Sequence, residues 1–184
     1  LRIMKQLQII LSVLLLLSAC DPYNHGTITD GTNAFTGYDS VYTIIDIQWH
    51  KQYYPLLDRQ VFSIDLLTEG LSFDSAHHIV GTGLNLYFSD IFLPIDQITL
   101  QDGVYHMDST ANASTFLPYK YFEGNVTGCY LLDIQESKIQ KIIGFSAGEF
   151  EITSINDDMY MDISLYLTDS TCYRATYRGP AIYQ

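Results

Sequence analysis

From Val41 to Tyr177 the chain is a succession of short runs in which apolar and polar residues alternate, each closed by a polar or glycine-bearing break. A period of two places successive side chains on opposite faces of an extended strand, so each run predicts a strand with one buried face. Val41 to Trp49 alternates imperfectly, with Thr43, Ile45, Ile47 and Trp49 on one side. Val61 to Thr68 brings Phe62, Ile64 and Leu66 together, and Thr82 to Ser89 does the same for Leu84, Leu86 and Phe88. Asp102-Gly103 signals a turn ahead of Val104 to Met107, and Gly124 to Gly128 leads into Cys129 to Ile134. Ile139 to Phe145 and Glu149 to Thr153 follow. The clearest run sets Met159, Met161, Ile163, Leu165 and Leu167 against Tyr160, Asp162, Ser164 and Tyr166. It is entered through Asn156-Asp157-Asp158 and left through Asp169-Ser170, toward a last strand at Cys172 to Tyr177. With no sustained 3.6-residue period and no internal linker, the pattern predicts an all-β fold. Its expected form is a single antiparallel β-sandwich, jelly-roll-like, over residues 41–184.

The beginning of the chain is patterned differently. Arg2 and Lys5 precede an apolar stretch, Leu7 to Leu17, broken by Gln8 and Ser12, which ends on Leu17-Ser18-Ala19-Cys20. This is the three-part layout of an export signal, with Met4-Lys5-Gln6 reading as a start of translation. The 11 positions from Leu7 to Leu17 fall short of the roughly 20 that a spanning helix needs, so cleavage is expected rather than a permanent span. The ending resembles the lipobox of bacterial lipoproteins. That resemblance implies a signal peptide over residues 1–19 and a diacylated thiol on Cys20, whose new amine is commonly acylated too. At about 0.8 kcal/mol per buried methylene, several chains anchor a protein firmly. Residues 20–40 (CDPYNHGTITDGTNAFTGYDS) carry little periodicity and read as the lipidated cysteine and a tether.

Composition supports the strand reading, because 15 Tyr and 9 Phe beside a single Trp suit a pleated surface. Residues 1–19 hold two bases and no acid, so their removal takes the formal net charge from −12 to −14. Such a charge disfavours nucleic acid and anionic headgroups as partners, which leaves the lipid to make the membrane contact. Beyond Cys20 the cysteines are Cys129 and Cys172, in an exported chain where oxidation is available. Both open strands and both precede a tyrosine, which makes a Cys129–Cys172 disulfide an expectation.

Four features bear on chemistry. Gly144-Phe145-Ser146-Ala147-Gly148 has the spacing of a nucleophile elbow, but a strand follows it and no histidine occurs after His106, so two glycines in a β-hairpin account for it better. His77-His78 near Asp74 would share a metal only from a loop, since adjacent strand residues diverge, and no metal or other cofactor is expected. Among the acids, Asp157-Asp158 suits a turn, while Asp65, Glu151 and Asp162 alternate with core residues and are expected to face solvent. No catalytic residue is assigned and the chain is not expected to be an enzyme. The aromatics beside Pro55 and Pro118, namely Tyr53, Tyr54, Tyr119, Tyr121 and Phe122, either cap the ends of the sandwich or present flat faces to a sugar ring.

Gly128, Tyr130, Gly148, Tyr160, Leu165, Tyr177 and Gly179, spread over Gln60 to Pro180, make the C-terminal pattern resemble small β-sandwich lipoproteins of the Bacteroidetes type. The resemblance implies an outer-membrane protein, lipid-anchored and facing the periplasm or the cell surface. A nonenzymatic binding or accessory role, with a glycan or an envelope protein as ligand, is the leading expectation. A structural subunit of fimbrillin type, matured by cleavage after Arg59, is the alternative, and a hydrolase is the third.

Overall fold

A computed structural model of the chain describes residues 33–37, 40–52, 59–155, 158–180 and 182–183. All regular structure among them is extended. In chain order the strands are β1 (Ala34–Thr36), β2 (Tyr42–Gln52), β3 (Gln60–Thr68), β4 (Leu71–Phe73), β5 (Ile79–Gly81), β6 (Gly83–Leu93), β7 (Gly103–Met107) and β8 (Thr115–Phe116). They continue with β9 (Lys120–Phe122), β10 (Asn125–Thr127), β11 (Cys129–Gln135), β12 (Lys138–Gly144), β13 (Ala147–Ile155), β14 (Asp158–Tyr166), β15 (Cys172–Gly179) and β16 (Ile182–Tyr183). The fold is all-β, as the alternation predicts.

Twelve of these strands form one sheet in the order β12-β11-β6-β3-β2-β1-β15-β14-β13-β7-β8, with β16 beside β2. β6 also pairs with β8, through Ile91 opposite Phe116 and Phe92 opposite Thr115, and this closes nine strands into a ring. The expected sandwich of two sheets is therefore corrected: both walls of the core belong to one sheet that returns on itself. Closure satisfies the edges that an open sheet would leave unpaired. Neighbours run antiparallel except at β7–β8 and β16–β2, which are parallel.

The interior is filled by the apolar parity of each strand. Phe62, Ile64 and Leu66 on β3 and Leu84, Leu86 and Phe88 on β6 point inward as the sequence predicts, and so do Met159, Met161, Ile163 and Leu165 on β14. At the centre the rings of Phe88, Phe116 and Phe150 meet edge-on or tilted at 5.1 to 5.3 Å, and Tyr105 stacks on Phe150 at 4.7 Å. Each such side chain contributes roughly 1.5–3 kcal/mol on burial.

Three local expectations change. In β2 the register with β3 shifts between Ile44 and Asp46, so Ile45 is an extra residue, half-exposed at 51%, and Ile44 joins Ile47 in the core. A bulge inverts the parity that a strict alternation assigns. The stretch read as tether contains β1, where Phe35 is buried against Tyr173 and the strand pairs with both β2 and β15. The tether boundary at residue 40 is thus too late, because three residues with one aromatic are too short to show a period. Finally, Cys129 is a free, wholly buried thiol, so no bridge joins it to Cys172. It stands opposite Phe88 of β6, whereas Cys172 stands opposite Tyr166 on β14, and three strands of the ring separate β6 from β15. Opening a strand ahead of a tyrosine says nothing of which strands are neighbours.

Ile163 is completely buried and paired with Phe150, while Tyr166 points outward and is half-buried. Ile163→Ala should lower stability by about 2–5 kcal/mol through lost burial and a cavity, and Tyr166→Ala should lower it less, as read from urea denaturation midpoints. Equal, small losses at both positions would contradict the inward assignment of β14.

Candidate functional site

The interior is packed, and among the described residues a concave surface lies on the outer face of the ring. Outward positions of β3 and β6 are themselves buried: Ser63, Asp65 and Leu67 on one strand, Asn85 and Ser89 on the other. One row runs across five strands as Gln48, Asp65, Tyr87, Tyr130 and Gly144. To one side, the β4–β5 hairpin packs Phe73 and Ile79 against Leu67, Leu71 and Ile134. A groove of about 560 Å³ results, lined by His50, Ser63, Asp65, Phe73, His77, His78, Ile79, Tyr87, Leu132, Ile134, Ser137 and Ile139.

Asp65 forms the floor. It is 6% exposed, its Oδ1 accepts a hydrogen bond from Asn85 Nδ2 at 2.7 Å, and its Oδ2 lies 3.6 Å from His50 Nε2. Burial pushes the carboxyl up to about 6 against the opposing pull of the Asn85 bond. Burial and the nearby His77 hold the His50 imidazole below its usual value. At neutral pH and above, both shifts leave a buried carboxylate facing an imidazole that favours its neutral form. The residues lining the groove include no lysine or arginine.

Two amide side chains neighbour Asp65 in the sheet, Gln48 on β2 and Asn85 on β6. Asn85 gives its amide nitrogen to Asp65 and Gln48 gives its own to Asp46 at 3.1 Å, which fixes both amides. The buried Asn85 Oδ1 and Gln48 Oε1 accept no hydrogen bond from the protein. Along the row, the Tyr87 and Tyr130 rings lie 5.2 Å apart, and burial, with Tyr87, Asp65 and Asp90 adding, pushes the Tyr130 phenol upward. Tyr119 covers Gly144, where a Cβ would come within 2.1 Å of its ring.

The histidine pair does occupy a turn, between β4 and β5. Asp74 accepts backbone hydrogen bonds from Ala76 and His78, both at 2.8 Å, and lies 3.5 Å from His78 Nδ1. His77 sits there at φ 60°. Both imidazoles reach the groove, but no three metal-ligating side chains converge among the described residues.

Of the aromatic residues singled out in the sequence, Tyr119 and the Tyr121-Phe122 pair are not brought together in the groove. Tyr53 and Tyr54 lie outside the described residues. Tyr119 is half-buried against Gly144 and Tyr130. Tyr121 and Phe122, 64% and 62% exposed, belong to the separate β9–β10 pair, where successive residues take opposite faces. None of the three lines the groove. Ser146 is exposed between two strands, its hydroxyl donating to the Tyr166 carbonyl at 3.3 Å. That connection is no hairpin, since β12 pairs with β11 and β13 with β14.

Glu151 and Asp162 do face solvent, directly opposite each other. Asp158 lies 3.6 Å from Arg178. Asp65 is the acid that departs from expectation. A signal for it exists in β3, where the outward parity reads Val61, Ser63, Asp65 and Leu67. Two apolar residues out of four on a supposedly wet face mark a strand covered on both sides.

Because the folded carboxyl of Asp65 holds its proton to higher pH than the unfolded chain does, its contribution to stability is complete below about pH 4 and is lost as pH rises through 6. The deficit at pH 8 is about 3 kcal/mol. Asp65→Asn should therefore be more stable than the parent at pH 8 by about 1–3 kcal/mol, and the gap should close toward pH 4. Urea melts of both proteins at pH 4, 6 and 8 measure this; a variant that is less stable at pH 8 would contradict the burial of a charge.

Comparison with known proteins adds no relative to this geometry: no family model, curated protein or solved structure matches the chain.

Proposed function

We propose that this chain is a lipid-anchored protein of the bacterial envelope that binds a small molecule in the groove over β3 and β6 and performs no catalysis. One observation carries the binding part: Asp65, 6% exposed, lies at the floor of an open groove whose lining holds no lysine or arginine, and burial pushes its carboxyl up to about 6. A perturbed carboxyl in a cleft is a marker of function rather than of folding. The volume of about 560 Å³ suits a ligand of modest size.

Binding is favoured over hydrolysis by the arrangement of the polar groups. Ser63 stands opposite His50 across β3 and β2, and Asp65 follows two residues on. A serine nucleophile needs a base within hydrogen-bond reach that is oriented from its far side. Here the imidazole turns Nε2 toward Asp65, and no hydrogen bond joins Ser63 to His50. The envelope address rests on the Leu17-Ser18-Ala19-Cys20 lipobox, which also supports an outer-membrane protein facing the periplasm or cell surface. The groove, rather than the aromatic hairpin β9–β10, supports the ligand. A fimbrillin-type subunit cut after Arg59 would give up β1 and β2, two strands of the ring, and with β2 the His50 side of the groove.

Two measurements test the reading. Cys20→Ser should leave the precursor unprocessed and unlabelled by radioactive palmitate; normal processing and membrane retention of that variant would remove the lipoprotein assignment. In a ligand-observed NMR screen of small neutral, cationic and anionic compounds against the detergent-purified protein, the hits should weaken about tenfold or more with Ile139→Trp on the groove wall. Hits indifferent to that substitution would place binding elsewhere.

A further inference from the structure

We infer that the groove selects a small organic cation, an amine whose ammonium group rests on Asp65 while its apolar body lies along Leu132, Ile134 and Ile139. The inference deepens the binding reading above and rests on it.

Charge comes first. Asp65 is the acid among the groove residues, no lysine or arginine joins it, and the nearest imidazole, His50, is held in its neutral form at pH 7. A buried carboxylate without a cationic partner is costly, and a ligand that brings the cation removes that cost on binding. The hydrogen-bond inventory points the same way. Asp65 accepts one hydrogen bond, from Asn85 Nδ2 to its Oδ1, while its Oδ2 lies 3.6 Å from His50 Nε2, beyond hydrogen-bond distance. The carboxylate at the floor has acceptor capacity to spare, and an ammonium offers three donors and no acceptor.

Shape and the remaining walls define the rest of the ligand. Leu132 and Ile134 on β11, Ile139 on β12, and Phe73 and Ile79 on the hairpin give the groove apolar sides above its single charge. A bare metal ion would leave those sides unused, and no three metal-ligating side chains gather there among the described residues. A neutral sugar would use the floor but bring no charge to Asp65. Tyr87, next to Asp65 in the row, adds an aromatic ring beside which a cation is stabilised. The formal charge of −12 on the chain also draws cations toward the surface.

The test uses the full-length protein in detergent at pH 7.5 and three near-isosteric probes read by isothermal titration calorimetry. They are 2-phenylethylamine, 2-phenylethanol and 3-phenylpropionate. The amine should bind at least about tenfold more tightly than the alcohol, and the carboxylate should bind most weakly. Asp65→Asn should erase the preference for the amine over the alcohol without lowering the denaturation midpoint, which separates lost recognition from lost fold. Equal binding of amine and alcohol, or amine binding unchanged in Asp65→Asn, overturns the cation assignment while the groove stands as a ligand site. Heat from none of the three probes, together with a compound screen that yields no hit sensitive to Ile139→Trp, overturns the ligand site as well.

Discussion

β6 is the strand on which the rest of the structure depends, because it has three partners. Along one edge it pairs with β3. Along the other, its first half pairs with β11, from Gly83 opposite Ile134 to Phe88 opposite Cys129, and its end pairs with β8 at Ile91 and Phe92. The handover occurs at a bulge, where Phe62 faces Ile91 while Ile64 faces Phe88, so Ser89 and Asp90 together oppose Ser63. An extra residue bends the strand and turns its edge toward a new neighbour. Backbone groups stay satisfied through the turn: Ser89 N–H donates to the Gly128 carbonyl at 3.0 Å, Gly128 N–H to Ser89 Oγ at 2.5 Å, and Leu117 N–H to the Asp90 carbonyl at 3.2 Å. From this one irregularity follow both the closure of the ring and the departure of β11 and β12 from it.

That departure creates the groove. Had β11 continued in the ring, the outer face of β3 and β6 would be an ordinary wet surface and Asp65 an unremarked surface acid. Instead β11 and β12 extend the sheet past the seam, and with the β4–β5 hairpin they raise apolar walls on either side of it. Leu67, Leu71 and Ile134 form a second, smaller cluster outside the main core, and Asp65 is enclosed between the two. The carboxyl at the floor is thus enclosed by the β4–β5 hairpin close to it in the chain on one side and by β11 and β12, more than 60 residues away, on the other.

This explains what could be read in the sequence and what could not. Where a strand has one wet face over its whole length, as β14 does, its inward residues are legible from alternation alone. The inner faces of β3 and β6 are legible because Phe62, Ile64 and Leu66, and Leu84, Leu86 and Phe88, alternate with polar or amphipathic residues even though the outer face is covered. Ile45 was misplaced because a bulge shifts parity by one residue without any change of composition. The ring itself is hidden, since its seam is two residue pairs contributed by Thr115 and Phe116, too few to carry a period. Of the site, the histidine turn was visible as a loop, but Asp65 was not, because a covered outer face depends on distant strands. The apolar outward positions Val61 and Leu67 were the available hint. Tyr119, Tyr121 and Phe122 stand apart from the groove, because exposure on a loop says nothing of where a concave surface will form.

A barrel that fills its interior with Phe88, Phe116, Phe150 and Tyr105 and keeps its groove outside has divided its labour between two sides of the same strands. In β3, Phe62, Ile64 and Leu66 hold the fold together while Ser63 and Asp65, interleaved with them, line the groove. The groove surface can then drift residue by residue at the odd-numbered positions with the even-numbered ones unchanged. A lineage of such proteins would diverge fastest on one parity of β3, leaving an alternating trace of variable and invariant columns.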